Sequence, residues 1–366
     1  MKVKVEGLTK FFGKRKALDN VSFEAADRAF TIILGPPGAG KTTTLKILAG
    51  LIKQDSGKIF FDGEDVTNIP PERRNVRMVF QSFALYPHMT VYENIAFPLK
   101  VAGMAEEEIR HRVKEVAEFL KIEGLLNRLP HNLSGGEMQR VAIARALARE
   151  SELYLLDEPL VNLDYKLRED MRAELKRMQR ELNKTIIYAT PDPLEPLAIG
   201  DYLIVLNGGK VMQTGRTIDV YQNPENLFVG KYFSVPPMNL IEGTLRRKGE
   251  RVIFESGEFT LDLTEIKDRM TYIPADVVIG IRPHEIKFSM EKIEGGIRVK
   301  TILSEVIGSD TIVHLKLGEN LVKVFVPRIY RLFGGEEAWI KIDPKSVYVF
   351  DKRNEKSILR RLSRNG

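Results

Sequence analysis

The chain has 366 residues, 29% of them charged and 43% hydrophobic, a balance that excludes an intrinsically disordered protein. At roughly 150 residues per domain, that length calls for two or three units with cores of their own. Cysteine is absent, so disulfides, thiol nucleophiles, Cys-ligated zinc and covalent haem attachment are excluded as well.

The net charge of +6 is unevenly spread: Lys352, Arg353, Lys356, Arg360, Arg361 and Arg364 stand against Glu355 alone at the end of the chain, leaving +1 for everything before. A near-neutral body does not fit a phosphate-backbone binder, and no nucleic-acid partner is expected. The basic tail is read as a solvated, frayed end, with contact to anionic lipid as the alternative. No apolar run reaches the roughly 18 residues that span a bilayer, and the opening MKVKVEGLTKFFGKRK lacks the apolar core of a signal peptide. The protein is expected to stay inside the cell, at most docked on a membrane.

In chain order, the apolar runs FTIILG (30–35), VRMVFQ (76–81), LYLLDE (153–158) and TIIYAT (185–190) alternate with helical patterns, which predicts a parallel α/β sheet. Between about 86 and 150 the pattern turns helical, with Ile109, Val113, Val116, Ala117 and Leu120 at helix spacing, and reads as a helical insert. Leu167, Met171, Leu175, Met178 and Leu182 mark a further helix packed on the sheet. After about Ser234, near YFSVPPMN, short alternating strands such as RVIFES, DVVIGIRP, TIVHLKLG, LVKVFVP and SVYVFD predict an all-β barrel. The predicted fold is a phosphate-loop α/β domain over 1–235, with a parallel-sheet core and a helical part at about 86–150. An OB-fold-like barrel over 236–352 and a basic tail over 353–366 follow.

Gly35, Pro36, Pro37, Gly38, Ala39, Gly40, Lys41 and Thr42, with Thr43 next, follow a strand-like run and open a helix, matching the phosphate-loop pattern GxxxxGK[ST]. Glycines let successive N–H groups face a phosphate, Lys41 adds charge, and the Thr42 hydroxyl can ligate magnesium. Downstream, an apolar run ends in Asp157 and Glu158. Side by side at the carboxyl end of a parallel strand, these two point opposite ways. Asp157 suits a magnesium ligand and Glu158 a general base on the water that attacks the γ-phosphate. A carboxylate pair can also merely end a strand and open a turn.

Between these lies Asn132-Leu-Ser-Gly-Gly-Glu-Met-Gln-Arg140, where the chain resembles the ATP-binding-cassette (ABC) family, whose LSGGQ signature stands here as LSGGE. The resemblance implies ATP and magnesium as cofactors, and a head-to-tail dimer in which Ser134, Gly135 and Gly136 contact the nucleotide of a second ATP-binding subunit. It also implies that Gln81 senses magnesium, that Phe12 stacks on adenine, and that Asn162, Leu163 and Asp164 bridge the two sites. Taken alone, a second Phe beside Phe11 is more often core. The segment from Gln81 to Ile95, with Pro237-Met-Asn239 and Gly280-Ile-Arg-Pro283, resembles the carbohydrate importers of the maltose type. That resemblance implies a transport-coupled ATP hydrolase serving two transmembrane permease subunits and, indirectly, an extracytoplasmic substrate-binding protein. A sugar or a polyol, glycerol or glycerol phosphate included, is the expected cargo.

The family expects a histidine after TIIYAT, but Thr190 is followed by Pro191, and Pro37 and Val161 stand where the family often has serine. None of the five histidines lies near Pro191 in sequence. The expectation is an impaired site in this chain and an unequal partner subunit, with a fully active homodimer as the alternative. A soluble ABC ATPase acting outside transport is a further alternative, but those carry tandem cassettes or a long coiled-coil insertion, and neither is present.

Overall fold

A computed structural model describes residues 1–161 and 163–360. Asn162 and, in the basic tail, Arg361 and Arg364 lie outside the described residues. The chain divides into two compact units, Met1–Thr217 and Ile218–Gly366.

The first unit is built on two sheets. Strands β1 (Val3–Phe12) and β2 (Arg15–Ala25) form an antiparallel hairpin turned at Gly13, whose φ is +58°. With β4 (Ser56–Phe61) and β5 (Glu64–Asp65) they make a four-stranded antiparallel sheet in the order β2-β1-β4-β5. The second sheet runs β10-β9-β3-β8-β7-β6, from β3 (Phe30–Leu34), β6 (Val76–Val79), β7 (Leu153–Asp157), β8 (Thr185–Thr190), β9 (Tyr202–Asn207) and β10 (Lys210–Arg216). All its pairings are parallel except β9–β10. Every residue of β3, β7 and β8 is buried, which is why these strands read as unbroken apolar runs.

Helix α1 (Lys41–Leu48) joins the sheets: Leu45 and Leu48 share one core with Val3, Val5 and Leu8 of β1 and with Ile33, Leu155 and Ile187 of the parallel sheet. The helical insert holds α2 (Val91–Val101), α3 (Glu106–Phe119) and α4 (Gly135–Ala148). Capping boxes start α2 at Thr90 and Glu93, and α4 at Ser134 and Glu137. After β7, Asp164 caps α5 (Tyr165–Leu182), which buries Met171, Leu175 and Met178 and ends at left-handed Asn183. Short α6 (Glu195–Ile199) follows β8.

Helix α7 (Thr217–Gln222) leads into the second unit, where among the described residues it and α8 (Leu227–Tyr232) precede ten strands. One antiparallel sheet orders β13-β12-β11-β14-β20, from β11 (Asn239–Lys248), β12 (Arg251–Ser256), β13 (Phe259–Asp262), β14 (Asp276–Ile281) and β20 (Tyr348–Asp351). The other orders β15-β19-β16-β17-β18, from β15 (Ile286–Ser289), β16 (Ile297–Ile307), β17 (Asp310–Leu317), β18 (Asn320–Val326) and β19 (Glu337–Ile342). One apolar core fills the space between the sheets, with Phe254, Ile279 and Val349 of the first against Val313, Val324 and Ile340 of the second.

The described part of the basic tail is not frayed. Ile358 is fully buried in that core, and Lys356, Ser357 and Leu359 bridge to Asn226, Phe350 and Met270. The apolar pair Ile358-Leu359 inside a basic stretch supplies the burial that holds it.

Candidate nucleotide site

The turn from β3 into α1 is fixed at both ends by backbone bonds: the Gly35 N–H donates to the Thr190 carbonyl at 3.2 Å, and the Gly209 N–H to the Ala39 carbonyl at 3.1 Å. A Cβ at Gly35 would sit 2.3 Å from the Leu206 carbonyl oxygen, and Gly40 has φ +107°, so side chains are excluded at both. The loop therefore curls between two strand ends and delivers α1 by its N-terminus, where no side chain caps the free N–H groups.

Lys41 is 3% exposed and spends all three of its donor hydrogens locally. Its Nζ lies 2.8 Å from the Gly35 carbonyl, 3.2 Å from that of Pro36 and 3.0 Å from Glu158 Oε1. Glu158 follows β7 with φ +47°, a left-handed conformation that a non-glycine residue adopts at a cost of about 1 kcal/mol. Its other carboxylate oxygen accepts from Gln81 Nε2 at 3.2 Å. Thr42 Oγ1 donates to Asp157 Oδ1 at 2.9 Å. Burial first, and the neighbouring Glu158 charge to a lesser degree, push the Asp157 carboxyl above the usual aspartate range, while the Thr42 hydrogen bond pulls it down.

Of these groups Lys41, Thr42 and Glu158 reach a pocket of about 290 Å³, lined also by Phe12, Arg15, Ala17, Gly38, Gly40 and Thr43, while Gln81 and Asp157 stand behind Glu158 and Thr42. Phe12 is 48% exposed at its mouth, with Lys10 Nζ 5.6 Å from the ring centroid, and is not a core residue. The structure thus brings together Phe12, the phosphate loop, Gln81, Asp157 and Glu158. Ser134, Gly135 and Gly136 do not line this pocket; they open α4, where Ser134 Oγ accepts from the Glu137 N–H at 3.3 Å and the Glu137 carboxylate from the Ser134 N–H at 2.7 Å. That backbone bond, first, holds the Glu137 carboxyl below its usual range.

Pro191 is placed by its neighbours. Thr190 Oγ1 accepts from the Asp192 N–H at 3.0 Å, and Arg172 Nη2 pairs with the Asp192 carboxylate at 2.8 Å. Proline offers no side-chain hydrogen-bonding group at this position.

Sequence reasoning missed Arg15 and Ala17. The signal was Gly13: the hairpin it turns sets Arg15 opposite Phe12, so the second strand enters the pocket with the first. It also missed Arg145 on α4, whose guanidinium donates to the carbonyls of Phe83 (3.0 Å) and Ala84 (2.7 Å). Both acceptors are left-handed, at φ +60° and +51°, and lie just past Gln81. The arginine thereby ties the last turn of α4 to the loop that follows Gln81. Buried Asn94 pins the far end, accepting from the Tyr86 N–H at 2.8 Å and donating to the Tyr86, Met89 and Thr90 carbonyls.

A phosphate loop, a strand ending in paired carboxylates and a helical insert on a parallel core define a nucleoside triphosphatase of the cassette class. Residues 18–161 match the ABC transporter family and residues 236–286 the MalK OB fold domain. The chain is 41% identical, over 97% of its length and 99% of the relative's, to the trehalose/maltose import ATP-binding protein of Thermococcus litoralis. It is 37% identical, over 95% of its length and 97% of the relative's, to the sn-glycerol-3-phosphate import ATP-binding protein of Escherichia coli K12. With the sulfoquinovosyl glycerol transport ATP-binding protein of Agrobacterium fabrum, identity is 39% over 97% and 99% of the two chains. Among solved structures, a bacterial ABC transporter cassette in dimeric form superposes with a TM-score of 0.54 at 33% identity, covering 59% of this chain and 98% of that one. The chain belongs to the ABC transporter family, as an ATP-binding import subunit with a C-terminal OB-type domain, and such subunits are ATPases coupled to transport. Among the described residues, no helix is long and apolar enough to cross a membrane.

Proposed function

We propose that this chain powers uptake of a sugar or polyol, glycerol phosphate included, and that its own hydrolytic site is slowed by Pro191 and works beside an unequal second ATP-binding subunit. The names of its relatives, which import trehalose and maltose, glycerol phosphate and sulfoquinovosyl glycerol, support the cargo class. Docking to two membrane permeases, served by a substrate-binding protein outside, accounts for a peripheral place on the inner face of the membrane.

In this reading the loop N–H groups and Lys41 take the phosphates, and Phe12 takes the adenine at the exposed edge of the pocket. Thr42 and Asp157, already in contact, suit a magnesium ion shared with the phosphates, since such ions keep few protein ligands. That fit rests on a hydroxyl and a buried carboxylate side by side; bound there, the ion supplies charge neutralisation to the leaving phosphates. Glu158, with Gln81 on its second oxygen, is the base that orients and deprotonates water. Ser134, Gly135 and Gly136 serve the partner's nucleotide.

The observation that carries the slow-site reading is Pro191 beside the loop anchor Thr190. A lost donor at a developing phosphoryl charge is worth about 3–4 kcal/mol of barrier, or two to three orders of magnitude. ATP turnover of the purified chain, before and after Pro191→His, tests it. Tight ATP binding with slow turnover, revived by the histidine at least tenfold, is the expected result. Turnover by the unaltered chain that the histidine does not raise would overturn it and leave an ordinary pair of identical subunits.

A further inference from the structure

Arg15 enters the nucleotide pocket with no task in the proposed hydrolysis. It stands directly opposite Phe12 across the β1–β2 hairpin, so the two side chains share one face of it, and both line the pocket. The next pair, Phe11 and Lys16, takes the other face, with Lys16 Nζ 5.4 Å from the Phe11 ring centroid. We propose that Arg15 is a further nucleotide-binding residue, which clamps the inner phosphates that ATP and ADP share; the proposal rests on the reading of this pocket as an ATP site.

Position is the first argument. The Arg15 Nη2 lies 3.4 Å from where a Cβ on Gly38 would stand, so the side chain reaches over the phosphate loop instead of out into solvent. Lys41 meets the same loop elsewhere, with its Nζ on the Gly35 and Pro36 carbonyls. The loop is thus approached by two cations, one on the hairpin that carries Phe12 and one on α1. A chain of phosphates running from a base on Phe12 to Lys41 meets Arg15 at its inner end.

Charge is the second. Among the described residues the Arg15 guanidinium has no ion pair, hydrogen bond or ring contact, whereas Lys10 pairs with Asp55, Lys16 with Asp19 and Lys41 with Glu158, each at 3.0 Å. Of the ionisable side chains that line the pocket, Lys41 and Glu158 cancel, and the uncancelled charge is that of Arg15. A free guanidinium fork held beside a phosphate loop suits two phosphate oxygens at once, where a lysine would offer a point charge. Lys14, one residue away at the hairpin turn, is unpaired as well but does not line the pocket. A contact made alike to ATP and ADP strengthens the binding of both and leaves their discrimination to the groups around the terminal phosphate.

The test is calorimetric titration of the intact chain with MgADP and with the magnesium complex of a non-hydrolysable ATP analogue. In Arg15→Gln both should bind about tenfold more weakly, by the same factor, because a charged hydrogen bond to phosphates they share is lost. Arg15→Lys, which keeps the charge without the fork, should restore part of that affinity. Lys14→Gln, which removes an equal charge next door, should change neither. Both positions are exposed, so the variants do not disturb a core. Weaker binding of the ATP analogue alone would put Arg15 at the terminal phosphate and overturn the proposal. Unchanged binding in Arg15→Gln, or an equal loss in Lys14→Gln, would overturn it too, the latter by reducing Arg15 to part of a diffuse positive field. Failure of the unaltered chain to bind either nucleotide would overturn the ATP site itself, and this inference with it.

Discussion

Asp157 works under two opposed demands. Folding buries it, which raises its pKa above the unfolded value of about 3.9; as pH climbs from there through the folded pKa, the unfolded chain gives up its proton first and stability falls. At neutral pH the nucleotide-free protein therefore carries a buried charge at a cost that a bound cation would cancel. Asp157→Asn keeps an acceptor for Thr42 and removes that charge. Its melting temperature at pH 7.5 without nucleotide should exceed that of the unaltered protein, by about 2–4 °C for each kcal/mol recovered. The further rise on adding MgATP should shrink; if it stays the same size, Asp157 is not at the cation. Neither Asp157's burial nor the Lys41–Glu158 pair could be read from residue types alone, whereas the loop and the carboxylate pair could, because their spacing is imposed by phosphate geometry. The Pro191 substitution was equally plain, since a single residue type decides whether a hydrogen bond is chemically available.

Among the elements, the buried strands β3, β7 and β8 announced themselves, and the antiparallel sheet did not. Strand β1 alternates buried and exposed residues only as far as Glu6; register shifts between Val5 and Leu8 and again before Lys10 break the period that would have marked it. The hairpin partners Arg15 and Ala17 were lost with it. The loop between β6 and α2 shows the same limit, because its two left-handed residues are neither glycine nor asparagine and are held by an arginine some sixty positions away. Arg145→Ala should release that loop. Loss of two bonds from a charged donor, with two strained residues left unsupported, predicts destabilisation of about 1–3 kcal/mol in urea unfolding. Hydrogen exchange should rise at 82–86 before anywhere in the parallel sheet; uniform exchange across the unit would show that the arginine is not what holds the loop.

At the level of the whole chain, each compact unit has a core of its own, and the two need not lose structure together. Differential scanning calorimetry should resolve two transitions, of which MgATP raises one, because a ligand stabilises only the unit that binds it. A single transition moving as one with nucleotide would contradict that independence. The change in sequence texture near Ser234 marks where the strands begin, while packing groups residues from Ile218 onward with them, since contacts made by short helices leave little trace in composition. The tail misled in the opposite direction: its charge was conspicuous, and the single Ile358 that seats it was not.

The bond between Lys41 and Glu158 has a bearing on the timing of the catalytic cycle. Nucleotide and carboxylate compete for the same ammonium, so the empty site is a closed circuit that arriving phosphates must open. Departure runs the other way. Once the terminal phosphate has been cleaved and begins to leave, Glu158 stands ready to recapture the lysine, and each recapture removes one of the contacts that hold the product. In the role proposed for it, Glu158 is then a spring that clears the site as much as a base. Glu158→Gln should therefore do more than abolish turnover: ADP added directly to that variant should dissociate several-fold more slowly than from the unaltered chain in stopped-flow measurements. Equal dissociation rates would mean that the lysine has no part in expelling product.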